Sequence, residues 1–388
     1  MGKKTMGWLG KFMTSWKMNV IFSRVIIALT IFTLNANHHA FAVPVLTYHN
    51  DNARTGANTH ETLLTPANVN TNTFGLLMKY GVDGYVYGQP LYFAGLSIPG
   101  KGVRDVVFVT TANNSVYAFD ADSNAGADGG LLWHDDLGGG IDLVNHHEFG
   151  GRYHDNVYSD MLPQVGITGT PVIDPVSETL YVDSFTRTET PAGPTFHHKI
   201  HALNITDGSE RSFSPVEVTA SVPGTGIDSS GGLVRFNPRQ QMQRPALTLA
   251  GGILYVGYGS AADTDSYHGW VIGYNAGNLQ LLTNQVFNTT PNATAAQFGP
   301  HAGEGALWMG GDGLCVDTNN NLYFEVANGS FDADPSLGNG VDYGDSFMKL
   351  STTGNRLAVA DYFTPFNQAA MQAADADFGS GGSLLLPD

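Results

Sequence analysis

Charge is scarce in this chain of 388 residues, at 14% Asp, Glu, Lys and Arg, and cysteine is nearly missing, with Cys315 alone. One cysteine excludes an intramolecular disulfide. It lies in the apolar run Gly313-Leu-Cys-Val, which reads as a buried, inert thiol rather than a nucleophile. Basic residues are also few, 18 against 35 acidic, for a formal charge of -17. A surface of that sign repels phosphate backbones, so nucleic acid and anionic membranes are poor partners. Long hydrophobic runs are missing too. The longest in the first forty residues, Val25 to Leu34, is about half of the roughly 20 residues that cross a bilayer. There is no Gly-x-Ser-x-Gly elbow, Walker loop or His-Glu-x-x-His, so hydrolase and nucleotide readings lack support.

The N-terminus has the order of a signal peptide: Lys3, Lys4, Lys11, Lys17 and Arg24, then the apolar run, then Ala40-Phe41-Ala42. Cleavage is expected after Ala42, leaving 43–388 as the mature domain with no membrane span. Met18 would start a shorter leader of ordinary length. Removing residues 1–42 takes away five basic and no acidic side chains, moving the formal charge from -17 to -22. With no cysteine beside the cleavage point, a bacterial-type lipid anchor is excluded. The expected location is outside the cytoplasm, periplasmic or extracellular. Metal cations, basic proteins and neutral glycans stay open as partners.

What the chain has in quantity is glycine, 48 residues, and a hydrophobic fraction of 42% that suffices for a large core. The glycines punctuate a repeat. Val106-Val-Phe-Val109, Thr179-Leu-Tyr-Val182, Ile253-Leu-Tyr-Val256 and Asn321-Leu-Tyr-Phe324 share a form, with Phe108, Tyr181, Tyr255 and Tyr323 recurring every 68 to 74 residues. Each is followed by a second strand, at Ser115–Phe119, Lys199–Leu203, Trp270–Tyr274 and Ser346–Leu350. Each is preceded by another, at Gln89–Tyr92, Thr170–Ile173, Arg244–Leu247 and Gly313–Val316; a fourth follows the turn at Leu131–Trp133 and Leu279–Leu282. Four antiparallel strands repeated at near-constant period make a propeller blade, because one twisted sheet cannot cover both of its faces alone. The fold class is therefore all-β, a β-propeller of four-stranded antiparallel blades. Four units and the opening of a fifth at 379–388 are present, which reads as part of a larger propeller, truncated at the C-terminus.

The stretch "VYAFDADS…GGLLW" resembles the repeat of pyrroloquinoline quinone (PQQ) type propellers, through Val116, Tyr117, Ala118, Asp120 and Trp133. "KIHALNITDGSE" (199–210) is a second copy with Asn204 in place of Asp, and "HNDNARTG" (49–56) resembles the opening segment of such propellers. The later copies, "WVIGYNAGNLQLL" and "SFMKLSTTGNRL", are weaker. The resemblance covers nearly all of 45–388. It implies a site over the propeller axis, and, for the enzymes of the family, PQQ with a calcium ion and a carboxylate base. No adjacent cysteine pair and no assignable Glu/Asn/Asp calcium set accompany it here.

Residues that open the inner strands face the axis: Gln89, Thr170 and Arg244, each before a Pro, with Glu304 and Trp308 in the corresponding part of the fourth unit. An Arg beside a Trp and a carboxylate suits a planar or sugar-like ligand; a structural ion pair and inter-blade packing would use the same residues. Asp332, Asp334, Asp342 and Asp345 gather hard oxygen donors that suit calcium. Asp317, Asn319 and Asn321 read as a hairpin turn. His146, His147, Glu148, His154, Asp155 and Asp160 fall in a long insertion with no recognised metal spacing. In "FHHKIHALN", alternation puts His197, Lys199 and His201 on one strand face and His198 on the other, which argues against a metal site. The expectation is an exported binding or scaffold module for an unidentified protein, small molecule or glycan, with no catalytic constellation in evidence. A PQQ- and calcium-dependent oxidoreductase of alcohol or sugar dehydrogenase type is the alternative, and a carbohydrate-active propeller a fainter third.

Overall fold

Each recurring aromatic sits at one ladder position in the computed structural model, which describes residues 42–145, 161–263, 266–337, 340–376 and 378–387. Phe108 pairs with Leu91, Tyr181 with Val172, Tyr255 with Thr248 and Tyr323 with Cys315, in every case across to the innermost strand of a four-stranded antiparallel sheet. The first sheet runs Leu91–Ile98, Gly102–Thr110, Ser115–Asp120, Leu131–Asp136. The second runs Val172–Asp174, Thr179–Thr188, Thr195–Asn204, Val216–Glu217. The third runs Thr248–Ala250, Ile253–Ser260, Trp270–Asn275, Leu281–Asn288, with Gln241–Met242 also on its second strand. The fourth runs Cys315–Val316, Leu322–Glu325, Phe347–Ser351, Ala358–Phe363. Strands follow one another in space as in sequence, the meander of a propeller blade.

The three main cores lie between consecutive blades rather than inside them. Leu91, Phe108 and Trp133 of the first blade pack with Leu180, Val182 and Leu203 of the second. Tyr181 and Ile200 of the second pack with Val256, Tyr258 and Trp270 of the third, and Tyr255 and Val271 of the third with Leu322, Phe324 and Met348 of the fourth. Alternation along a strand explains the arrangement: Leu180 and Val182 point one way and Tyr181 the other. Burying both faces is what joins each blade to the next.

Side chains reach from each blade to the turn of the next. Trp133 donates its indole Nε1–H to the Ile205 carbonyl at 2.9 Å. Its ring lies so close to Gly208 (φ +79°) that a Cβ there would meet Trp133 Cε3 at 2.7 Å. Tyr181 donates its hydroxyl to the Ala276 carbonyl at 2.7 Å, and Gln285 Nε2 donates to Asn355 Oδ1 at 3.3 Å.

Two expected strands differ. Arg244–Leu247 is not yet ladder. Pro245 has no N–H to donate, Leu247 N donates to the Thr170 carbonyl of the preceding blade, and the sheet begins at Thr248. Residues 379–387, expected to open a fifth blade, form no strand; Leu385 N donates to the Ala53 carbonyl at 3.0 Å and the Cys315 thiol to the Ser383 carbonyl at 2.9 Å. The histidine-rich insertion at 146–160 lies outside the described residues, as do His146, His147, Glu148, His154, Asp155 and Asp160. No helix among the described residues is long and apolar enough to cross a membrane.

Candidate functional site at the axial face

The inner edges of the blades are closed by one segment, residues 45–54. Val45 and Tyr92 exchange two backbone hydrogen bonds of 2.9 Å, and Leu46 O accepts from Ile173 N at 2.8 Å. Asn52 spans the next two blades: its Nδ2 donates to Leu249 O at 2.9 Å and its carbonyl accepts from Val316 N at 2.7 Å. At the hub is Arg54, almost wholly buried. Its guanidinium donates to Thr47 Oγ1 at 2.7 Å, Tyr48 O at 3.0 Å, Thr248 Oγ1 at 2.6 Å and Leu314 O at 3.2 Å. Burial draws the Arg54 pKa downward while Asp312 opposes the shift. His49, Asn50 and Arg54 all hold left-handed backbone conformations, φ 53°, 69° and 60°. For His and Arg that costs energy unless the surroundings fix it; here the Arg54 hydrogen bonds do.

The polar groups meet where this segment leaves the edges. His49 N donates to Gln89 Oε1 at 3.2 Å, and Gln89 N donates to the buried Thr170 Oγ1 at 2.8 Å. Tyr48 and His49 stack with ring centroids 4.0 Å apart. Arg244 donates Nη2 to the Gly310 carbonyl at 3.1 Å and lies 5.8 Å from the Trp308 ring centroid. Arg244 also acts electrostatically on both Tyr48 and Tyr87, whose hydroxyl pKa values burial raises. Tyr87 and Trp308 pack on one apolar cluster with Met242 and Phe185. Asp312, behind them, has its carboxyl pushed up to about 6 by burial, against the hydrogen bond from Gly313 N and the charge of Arg54. The site is thus a half-buried guanidinium over an indole, with a stacked aromatic pair within its electrostatic reach and an amide bonded to the histidine of that pair.

Of the expected residues, Gln89 and Thr170 come together, as do Arg244 and Trp308. Glu304 is held by other partners: its backbone bridges His268 and Gly329, and its Oε2 accepts from Gln372 Nε2 at 2.5 Å. Tyr48, His49, Tyr87 and Asp312 are additions. The signal for His49 was the "HNDNARTG" segment, directly after Tyr48, and for Tyr87 the Tyr87-Gly-Gln-Pro90 that precedes the first blade; Asp312 had none.

Of the four aspartates weighed for calcium, Asp332 and Asp342 are neighbours. Asp334 caps its own turn through Ser336, and Asp345 accepts from Gln368 Nε2 at 2.9 Å. Asp317 binds Asn319, Asn321 and Tyr323 within its hairpin. Among the described residues no three His, Cys, Asp or Glu side chains converge as a metal cage.

The strand histidines are spent on structure. His198 is wholly buried, bonded at 2.7 Å to Asp183, which also accepts from Tyr258 at 2.8 Å. His201 bonds Ser184 Oγ at 2.9 Å through Nε2 and Glu210 through Nδ1. That serine–histidine–glutamate chain is composed like a hydrolase triad, but Ser184 is wholly buried in mid-strand opposite Lys199, so it fastens the blade instead. Burial pushes the Cys315 thiol up to about 11, so it stays protonated and inert.

No family model matches the chain, and no curated protein matches it. Among solved structures it is similar to a europium-containing methanol dehydrogenase, at 11% identity and a TM-score of 0.47, over 83% of this chain and 49% of that one. The chain therefore spans about half the length of that protein.

Proposed function

We propose that the chain is an exported PQQ-like propeller that acts as a binding module, taking a small planar anion at the axial mouth. The observation that carries this reading is Arg244 held 5.8 Å over Trp308 at the opening of an inner strand. A guanidinium fixed over an indole offers a flat apolar surface and a charge that pairs with carboxylates in two-point geometry. Tyr48 and His49 extend the aromatic surface, and Gln89 supplies an amide already oriented by His49 and Thr170.

PQQ itself is a planar polycarboxylate quinone, so Arg244 and Trp308 fit its carboxylates and ring. The metal that accompanies it in dehydrogenases is a poorer fit. The buried carboxylate described at the mouth, Asp312, already accepts from Gly313 N at 2.7 Å, and Gly382 packs on it so closely that a Cβ would lie 2.3 Å from Asp312 Cβ. The residues support binding without a redox step.

A calorimetric titration of the chain with PQQ, with and without calcium, tests this reading. Saturable binding that calcium does not tighten is expected. No binding with or without calcium would sink the proposal, and binding that requires calcium together with dye-linked alcohol oxidation would move it to the oxidoreductase alternative.

A further inference from the structure

Away from the mouth, one pair of carboxylates is built into the interior. Phe331 and Tyr343 form an antiparallel bridge, with Asp332 N donating to Asp342 O at 3.1 Å and Gly340 N to Asp332 O at 2.9 Å. That register sets two aspartates side by side. Asp342 N donates to Asp332 Oδ1 at 3.0 Å, and Asp342 Oδ1 accepts from Asn292 N at 2.9 Å. Asp342 is wholly buried, and among the described residues its Oδ2 has no hydrogen-bond partner, although the Ala293 N–H also acts on the carboxyl. No Lys, Arg or His among the described residues pairs with either carboxylate.

A buried carboxylate with one oxygen unsatisfied and a partly buried one beside it repel each other unless a cation or a proton lies between them. Gln297 stands at the open side, its amide 3.5 Å from Asp332 Oδ2. Rotating that amide presents a neutral oxygen in place of the nitrogen. We infer that Asp332 and Asp342 hold a calcium ion, with the Gln297 amide oxygen and water completing the shell. Calcium accepts such an irregular, part-hydrated oxygen set, whereas magnesium demands a near-ideal octahedron. The ion would tie the hairpin to the segment around Asn292 that leaves the third blade. Asp334 and Asp345 stand apart from the pair, each held by partners of its own.

The test is terbium luminescence on the chelator-treated full chain, excited through tyrosine, since Tyr343 follows Asp342 directly, with calcium as competitor. A saturable signal that calcium displaces is expected. Asp342→Asn and Asp332→Asn should each weaken terbium affinity by about tenfold or more, while Asp334→Asn stays within about twofold. Asp332 is only partly buried, so Asp332→Asn carries the test if the Asp342 variant does not fold. The inference is overturned by the lack of a saturable signal, by a signal that Asp332→Asn leaves intact, or by one that Asp334→Asn removes equally.

Discussion

The first three blades and the fourth use one repeat position in two ways. Phe108, Tyr181 and Tyr255 are buried, and the residues across the ladder from them are small: Ala118, Ala202 and Gly273. In the fourth blade the partner of Tyr323 is Lys349, whose ammonium lies 5.2 Å from the ring centroid. The hydroxyls of the second and fourth blades differ too, while that of Tyr255 goes to Gln285 of its own sheet at 3.3 Å. Tyr181 donates to Ala276 in the next blade, whereas Tyr323 donates to Asp317 in its own turn at 3.0 Å. A small neighbour leaves the ring to be covered by another sheet; a lysine stem covers it from the same sheet. The comparison shows that the aromatic alone marks a blade, and that its cross-strand partner tells what lies against it.

The largest effect should come from the contact that joins the first blade to the second. Trp133→Ala removes a buried indole and its bond to Ile205, and should cost about 3–5 kcal/mol in a denaturant or calorimetric melt. Next is the mouth's buried carboxyl. Asp312 has its pKa raised to about 6, above the unfolded value of about 3.9, so the folded state holds its proton longer. Its contribution to stability is therefore fully present below about pH 4, is lost as pH rises toward 6, and is flat above that, a change on the order of 2 kcal/mol. Asp312→Asn should flatten that slope in melts taken across pH 4 to 7; an unchanged slope would mean that other groups set it. The smallest effect sharpens the comparison itself. Tyr181→Phe strands the Ala276 carbonyl in the core and should cost about 1 kcal/mol, whereas Tyr323→Phe, whose partner is near solvent, should cost less than about 0.5 kcal/mol. Equal costs would show that the two hydroxyls are not used differently.

The blades were legible in the sequence because their signals are local: an aromatic in a short apolar strand, a turn rich in Asp, Asn and Gly, a second strand. Tertiary placement was legible only in part. "HNDNARTG" stood out, but Arg54 binds Thr248 and Leu314, 194 and 260 residues away, and no local pattern encodes that hub. Glu304 was placed at the mouth by analogy between units, yet its own backbone, at φ 59° and bridged to Gly329, carries it toward Gln372. The four aspartates were grouped by nearness in sequence. Hairpin register separates them, because it sets residue 332 against residue 342 and leaves residue 334 on its own turn.

The most direct test of the axial site is the PQQ titration repeated on Arg244→Gln. The account predicts that affinity falls by about tenfold or more, as expected when a charge-assisted carboxylate contact is lost, while the melting temperature of the unliganded chain barely moves. Unchanged affinity in a folded Arg244→Gln chain would contradict it and place any binding away from the mouth.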